Sequence, residues 1–201
     1  LYLKDGLLET SGAHNVIGGN QNTVPDGKGW VFHTGGTWNN IAAGNLNLGW
    51  QGTDSYGEYN LSGADSLVQV AASSHIGVEG TGVFNHTSGT VIIGDGTGDY
   101  LRVGSQIGSH GSYIIDSGVL DVKGHLQVGY QGDDTLDATG VFIQNGGTVL
   151  VNHFEMAAER DSDGTYIIKA GLLRAASTGI HEIGDSHDGT ALFRPGGGRA
   201  A

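Results

Sequence analysis

Apolar residues in this chain recur in short alternating bursts of three to five positions, each closed by glycine or a small polar residue. A period of two places every second side chain on the same side of an extended backbone, so each burst predicts a short strand with one buried face. One phrase repeats: a glycine, an aromatic residue soon after it, a strand, a second glycine or small residue, and another strand. It reads Gly29-Trp-Val-Phe-His-Thr-Gly-Gly-Thr, Gly57-Glu-Tyr-Asn-Leu-Ser-Gly, Gly82-Val-Phe-Asn-His-Thr-Ser-Gly-Thr-Val, Gly111-Ser-Tyr-Ile-Ile-Asp-Ser-Gly-Val-Leu, Gly140-Val-Phe-Ile-Gln-Asn-Gly-Gly-Thr-Val and Gly164-Thr-Tyr-Ile-Ile-Lys-Ala-Gly-Leu-Leu. A partial copy opens the chain at Leu1-Tyr-Leu-Lys-Asp-Gly-Leu-Leu, and a degraded one closes it at Phe193-Arg-Pro-Gly-Gly-Gly.

The leading glycines at 29, 57, 82, 111, 140, 164 and 189 lie 28, 25, 29, 29, 24 and 25 residues apart. A second phrase falls late in each unit, apolar-x-apolar followed by glycine or alanine, as in Leu46-Asn-Leu-Gly, Ile76-Gly-Val, Leu101-Arg-Val-Gly, Leu126-Gln-Val-Gly, Phe154-Glu-Met-Ala and Ile180-His-Glu-Ile-Gly. With a middle strand such as Val119-Leu-Asp-Val, each unit holds three strands. Three short strands per unit is the length of one coil of a parallel β-helix. The pattern therefore predicts an all-β fold, a right-handed parallel β-helix (β-solenoid) of about eight coils, about 35 to 40 Å long at the spacing of paired strands. Residues 1–201 read as one such domain, a processed or truncated piece of a longer array. The nearest helical candidate, Ala157 to Arg160, is too short to compete.

The units alternate. Phe32, Phe84, Phe142 and Phe193 head one kind, with His33, His86, Gln144 and Pro195 in the following polar place, His33 after a one-residue gap; Tyr59, Tyr113 and Tyr166 head the other, followed by Leu61, Ile115 and Ile168. If this face is internal, these residues form a structural ladder in which a buried tyrosine hydroxyl meets His or Gln of an adjoining coil. If it is external, the alternation records only an ancestral duplication of two coils.

Composition sharpens the function classes. Glycine supplies 38 of 201 residues and proline two, which suits many tight turns. The formal net charge of −12 argues against nucleic acid or an anionic membrane as a partner, and no apolar run reaches membrane-spanning length. Cysteine is absent, so neither disulfides nor thiolate chemistry are available.

The quoted Phe-Asn-His-Thr-Ser-Gly-Thr-Val and Tyr-Ile-Ile-Asp-Ser-Gly-Val-Leu phrases resemble the glycine-rich tandem repeats of large secreted and surface proteins of bacteria, including autotransporter-like passenger regions and proteins bearing a sorting signal. The resemblance spans nearly the whole chain and implies an extracellular fibre, stalk or coat component without catalytic residues. Self-association, end to end or lateral, is the expected partnership, helped by a first strand that begins at Leu1 without a polar capping turn. The alternative is a β-helix that binds or cleaves polysaccharide.

Candidate chemistry lies in the turns. Asp95 and Asp99, Asp133 and Asp134, Asp161 and Asp163, and Asp185 and Asp188 could converge from neighbouring coils on calcium as a cofactor, although aspartate also serves tight turns for conformational reasons alone. Trp30, Trp38 and Trp50 cluster in one stretch that could stack on sugars or pack in the core. Nine histidines show no close ligand spacing, so a zinc site would need convergence across coils. Nine Lys and Arg are spread too thinly to line up with acids, which weakens an enzymatic reading.

Overall fold

The computed structural model describes residues 1–19, 26–41, 44–133, 135–159, 161–176, 178–184 and 189–195. Among them every regular element is a β-strand and every pairing is parallel. The first face of the solenoid carries eight strands in chain order: Tyr2–Leu3, Lys28–His33, Tyr56–Leu61, Thr81–His86, His110–Ile115, Ala138–Gln144, Ser162–Ile168 and Thr190–Pro195. Each of the six inner strands pairs with the strand one coil before and one coil after, so the ladder is held by nearest-neighbour contacts.

The second and third faces are joined into one sheet by two long strands, Val119–Val128 and Thr148–Met156, which run round the corner between the faces. The pairing register shifts there between Val122 and His125. Seven complete three-strand coils and the first strand of another are described, slightly fewer than the eight expected.

Strand alternation fills the interior with registered columns. Val31, Tyr59, Phe84, Tyr113, Phe142, Tyr166 and Phe193 stand one above another on the first face. From Tyr59 to Tyr166 the rings stack nearly parallel, with centroids 4.8, 4.8, 4.9 and 4.6 Å apart. These are the spacings of paired strands, so backbone pairing and ring stacking satisfy each other. At the last rung Phe193 tilts away from Tyr166 by 33° and is 37% exposed.

Phe32 departs from the expected column. In its coil the aromatic comes one position later after the leading glycine, and a period of two therefore sends it outward, where it faces Asn60 in register and stacks on Tyr2. Val31 takes the inward place, and the buried ring of Trp38 lies flat on Tyr59 at 5.6 Å, filling the room a phenylalanine would have taken. The late phrase is also displaced in two coils. Ser74-His-Ile and His181-Glu-Ile occupy the registered positions rather than strands beginning at Ile76 or Ile180.

The second inward column of the first face holds the alternating polar residues. His33 Nδ1 lies 2.9 Å from the Tyr59 hydroxyl, His86 Nδ1 lies 3.0 Å from that of Tyr113, and the Tyr166 hydroxyl donates to Gln144 Oε1 at 2.8 Å. The other ring nitrogens, His33 Nε2 and His86 Nε2, face the carbonyls of Gly36 and Gly89. A carbonyl only accepts, so Nε2 carries the proton and Nδ1 accepts from tyrosine. Gln144 reproduces both contacts, its amide nitrogen reaching the carbonyls of Gly147 and Leu172. The polar groups thus tie each ring to the turn that follows the strand. Burial is complete enough to raise the Tyr59, Tyr113 and Tyr166 hydroxyls far above their usual range.

Tyr113→Phe removes one hydroxyl without changing the ring stack, leaving His86 Nδ1 without its donor in a buried place. The expected loss is about 1 to 2 kcal/mol in denaturant unfolding, with little change in slope. No loss would mean that this hydrogen bond contributes nothing net.

The corner between the third and first faces is made by two glycine columns in contact. A Cβ placed on Gly111 would lie 2.1 Å from the Gly104 nitrogen and 2.1 Å from the Ile76 carbonyl oxygen. Gly104 itself has φ 73°, the left-handed turn that closes the coil. The same contact recurs between Gly82 and Gly77 and between Gly140 and Gly129, which accounts for the leading glycine of the repeated phrase.

Candidate functional site

The outward side chains of the third face form a connected polar network in which Asn47, Gln127 and Glu155 are buried. Asn47, His75, Arg102, Gln127, Glu155 and Glu182 stand in register along six coils. Two positions earlier in each strand, and hence on the same side, stand Tyr100, His125 and His153. The core residues between them, Leu101, Val103, Leu126, Val128, Phe154 and Met156, face inward and are buried, so the backbone beneath this surface is firmly held.

Contacts pass from coil to coil. The Arg102 guanidinium lies between two tyrosine rings, 4.4 Å from the centre of Tyr100 and 3.6 Å from that of Tyr130. Its Nε donates to Gln127 Oε1 at 2.7 Å, and the Gln127 amide donates to Glu155 Oε2. Glu155 Oε1 meets His125 Nδ1 at 2.6 Å. The His125 ring is stacked between Tyr100 at 4.8 Å and His153 at 4.1 Å. Ile180 N donates to His153 Nδ1 at 2.9 Å.

This packing controls ionisation. Desolvation, followed by the charge of Arg102 and then by His14, pushes His75 down to about 3, so it is neutral at physiological pH and its Nδ1 sits 2.9 Å from Ser105 Oγ. Desolvation first, and then the His125 ring beside it, hold His153 below the usual imidazole range. Neutral imidazole is the form that offers a lone pair. One donor atom from each of His125, His153 and Glu155 lies within 4.8 Å of the others, the one such three-residue grouping of metal-ligating side chains among the described residues.

The residues expected to carry chemistry are placed otherwise. Asp99 Oδ2 accepts from the backbone nitrogens of Asp95 and Gly96 at 3.0 and 3.1 Å, and Asp133 Oδ1 accepts from Thr135 and Leu136, so these carboxylates hold their own turns. Asp163 stands on the first face, in register with Thr139 and Thr190, and Asp161 occupies a turn with φ 51°. Asp134, Asp185 and Asp188 lie outside the described residues. Among the described residues no three of these carboxylates bring oxygens within 4.8 Å of one another.

The three tryptophans do not share a surface. Trp30 is 45% exposed on the first face beside Tyr56, Trp38 is in the core, and Trp50 packs against His14 at the end of a third-face strand. Their closeness in sequence is overridden by the coil, which sends the three to different sides.

The His125, His153 and Glu155 grouping was not singled out from the sequence. The signal that finds it is spacing by one coil: 28 residues separate His125 from His153, and in a solenoid that distance is a neighbour. In comparisons with known proteins, no family model matches this chain, no curated protein matches its sequence and no solved structure matches its fold.

Proposed function

We propose that this chain is a structural segment of a secreted, surface-associated β-solenoid that extends by stacking end to end on further copies of itself. The observation that carries the reading is the columnar register itself: the inner strands of the first face each pair in parallel with the coil before and the coil after, so a further copy continues the same ladder by the same contacts. At one end Leu1 is 64% exposed and Leu3, Leu8 and Ile17 line the open mouth of the core above Trp38. At the other, Ile183 is 55% and Phe193 37% exposed in core positions. A further coil, whether of a longer chain or of another copy, buries such rungs by strand addition. With a formal net charge of −12, rods lying side by side repel one another at low salt.

A second reading has one observation in its favour. The bend between the second and third faces forms a groove lined by Lys123, Asn152 and Arg174, with Lys123 paired to Asp121 at 2.5 Å. Two cations and an amide along a groove suit an acidic polysaccharide.

Negative-stain microscopy across a concentration series, at low and high salt, tests the first reading. Rods longer than the single-chain length of roughly 35 Å, growing with concentration and staying unbundled at low salt, are the expected result. Particles of single-chain length throughout would sink it. Retention of an acidic polysaccharide by such short particles would transfer the reading to the groove.

A further inference from the structure

We infer that His125, His153 and Glu155 form a binding site for one zinc-like divalent cation on the third face, pinning two adjacent coils together. The donor set is two imidazoles and a carboxylate, the nitrogen and oxygen mixture that suits zinc and its neighbours in the transition series and not calcium, which prefers oxygen ligands alone.

The ligands are held before any ion arrives. Pairing of His125 with His153 and of Gln127 with Glu155 fixes the strands in register. Stacking against Tyr100 and His153 limits the His125 ring, and the Gln127 amide, itself engaged by Arg102, holds the far oxygen of Glu155. This is the arrangement by which outer residues orient metal ligands.

Binding needs the His125 and His153 rings, 4.1 Å apart and 10° from parallel, to tilt so that their in-plane lone pairs converge, and it needs two local exchanges. The proton shared between His125 Nδ1 and Glu155 Oε1 leaves to solvent when the ion takes its place, the ring keeping its other proton at Nε2 so that it binds as neutral imidazole, and the 2.6 Å gap opens to roughly 3.3 Å, the separation of two ligands at bond lengths of about 2.0 to 2.1 Å in a tetrahedral site. The Ile180 amide gives up His153 Nδ1, or the ring turns, and because this contact is solvent-exposed the amide finds water instead. Glu182, in register with Glu155 one coil on and exposed, or a water molecule, completes the fourth position.

Calorimetric titration of the full chain with zinc chloride tests the site, with calcium chloride as comparator. Uptake of one zinc per chain, heat consistent with proton release on changing the buffer, a zinc-dependent rise in melting temperature, and no response to calcium are expected. Glu155→Gln and His153→Phe should each weaken zinc binding tenfold or more; the phenylalanine keeps the ring stacked on His125 but offers no donor. Gln127→Ala should weaken it about tenfold through loss of orientation. His110→Ala, an exposed position on the first face, should leave it unchanged. Absence of zinc uptake by the wild-type chain, or equal uptake by Glu155→Gln and His153→Phe, would overturn the assignment.

Discussion

Gly111→Val should lower the stability of the solenoid by about 3 kcal/mol or more, a drop in melting temperature of roughly 6 to 12 °C for a chain of this size. The opposing effects differ in scale. Valine is preferred over glycine in strands by about 1 kcal/mol, and loss of unfolded-state freedom adds up to about another 1 kcal/mol. Against these stands a Cβ 2.1 Å from both Gly104 N and Ile76 O, the two atoms of a 2.9 Å hydrogen bond between coils. Neither atom belongs to a side chain that can rotate aside, so the corner opens, that bond breaks, and the rings of Phe84, Tyr113 and Phe142 lose their registry. Gly96→Ala is the matched control, since a Cβ there meets nothing within 4 Å. Thermal unfolding of the two variants side by side gives the comparison. Equal melting temperatures would show that the corner is not close-packed.

The same corner shows why the fold was legible in the sequence. A contact in which backbone touches backbone accepts no substitute for glycine, and it recurs once per coil, so Gly82, Gly111 and Gly140 mark the period whatever else drifts around them. The alternation of Tyr with Phe and of aliphatic residues with His or Gln was legible for a related reason, because stacked rings and their hydrogen-bond partners must occupy the same rung position in every coil. Phe32 was misplaced because a one-residue slip reverses inside and outside while leaving the motif recognisable to the eye. His125, His153 and Glu155 were harder to see, since two of them are joined only when a separation of 28 residues is read as adjacency. The acidic turns carried two readings in the sequence, turn geometry and calcium, and the oxygens of Asp99 and Asp133 are directed at backbone amides in their own loops, as turn geometry alone requires.

His86 makes stability depend on pH. Burial pushes its imidazole down to about 4, with the Gly89 carbonyl and the Asp116 charge opposing the shift only in part. Above pH 6.5 the ring is neutral in both folded and unfolded chains, so no contribution changes there. Between 6.5 and 4 the unfolded chain takes up a proton that the folded chain refuses, and stability falls with pH at about 1.4 kcal/mol per unit, on the order of 3 kcal/mol in all. His33, lowered by the same burial, adds to the fall in the same direction. Protonation of carboxylates relieves the net negative charge over part of this range and acts oppositely, so the wild-type profile alone does not isolate the ring. His86→Gln does. Gln144 already fills the equivalent place in the same column, accepting from Tyr166 and donating to Gly147, so glutamine at 86 should preserve the contacts to Tyr113 and Gly89. Urea unfolding from pH 7.5 to 4.5 should find the variant within about 1 kcal/mol of wild type at the upper end, and its profile shallower by about one proton below pH 6.5. Identical slopes would mean that His86 is not held neutral by the core.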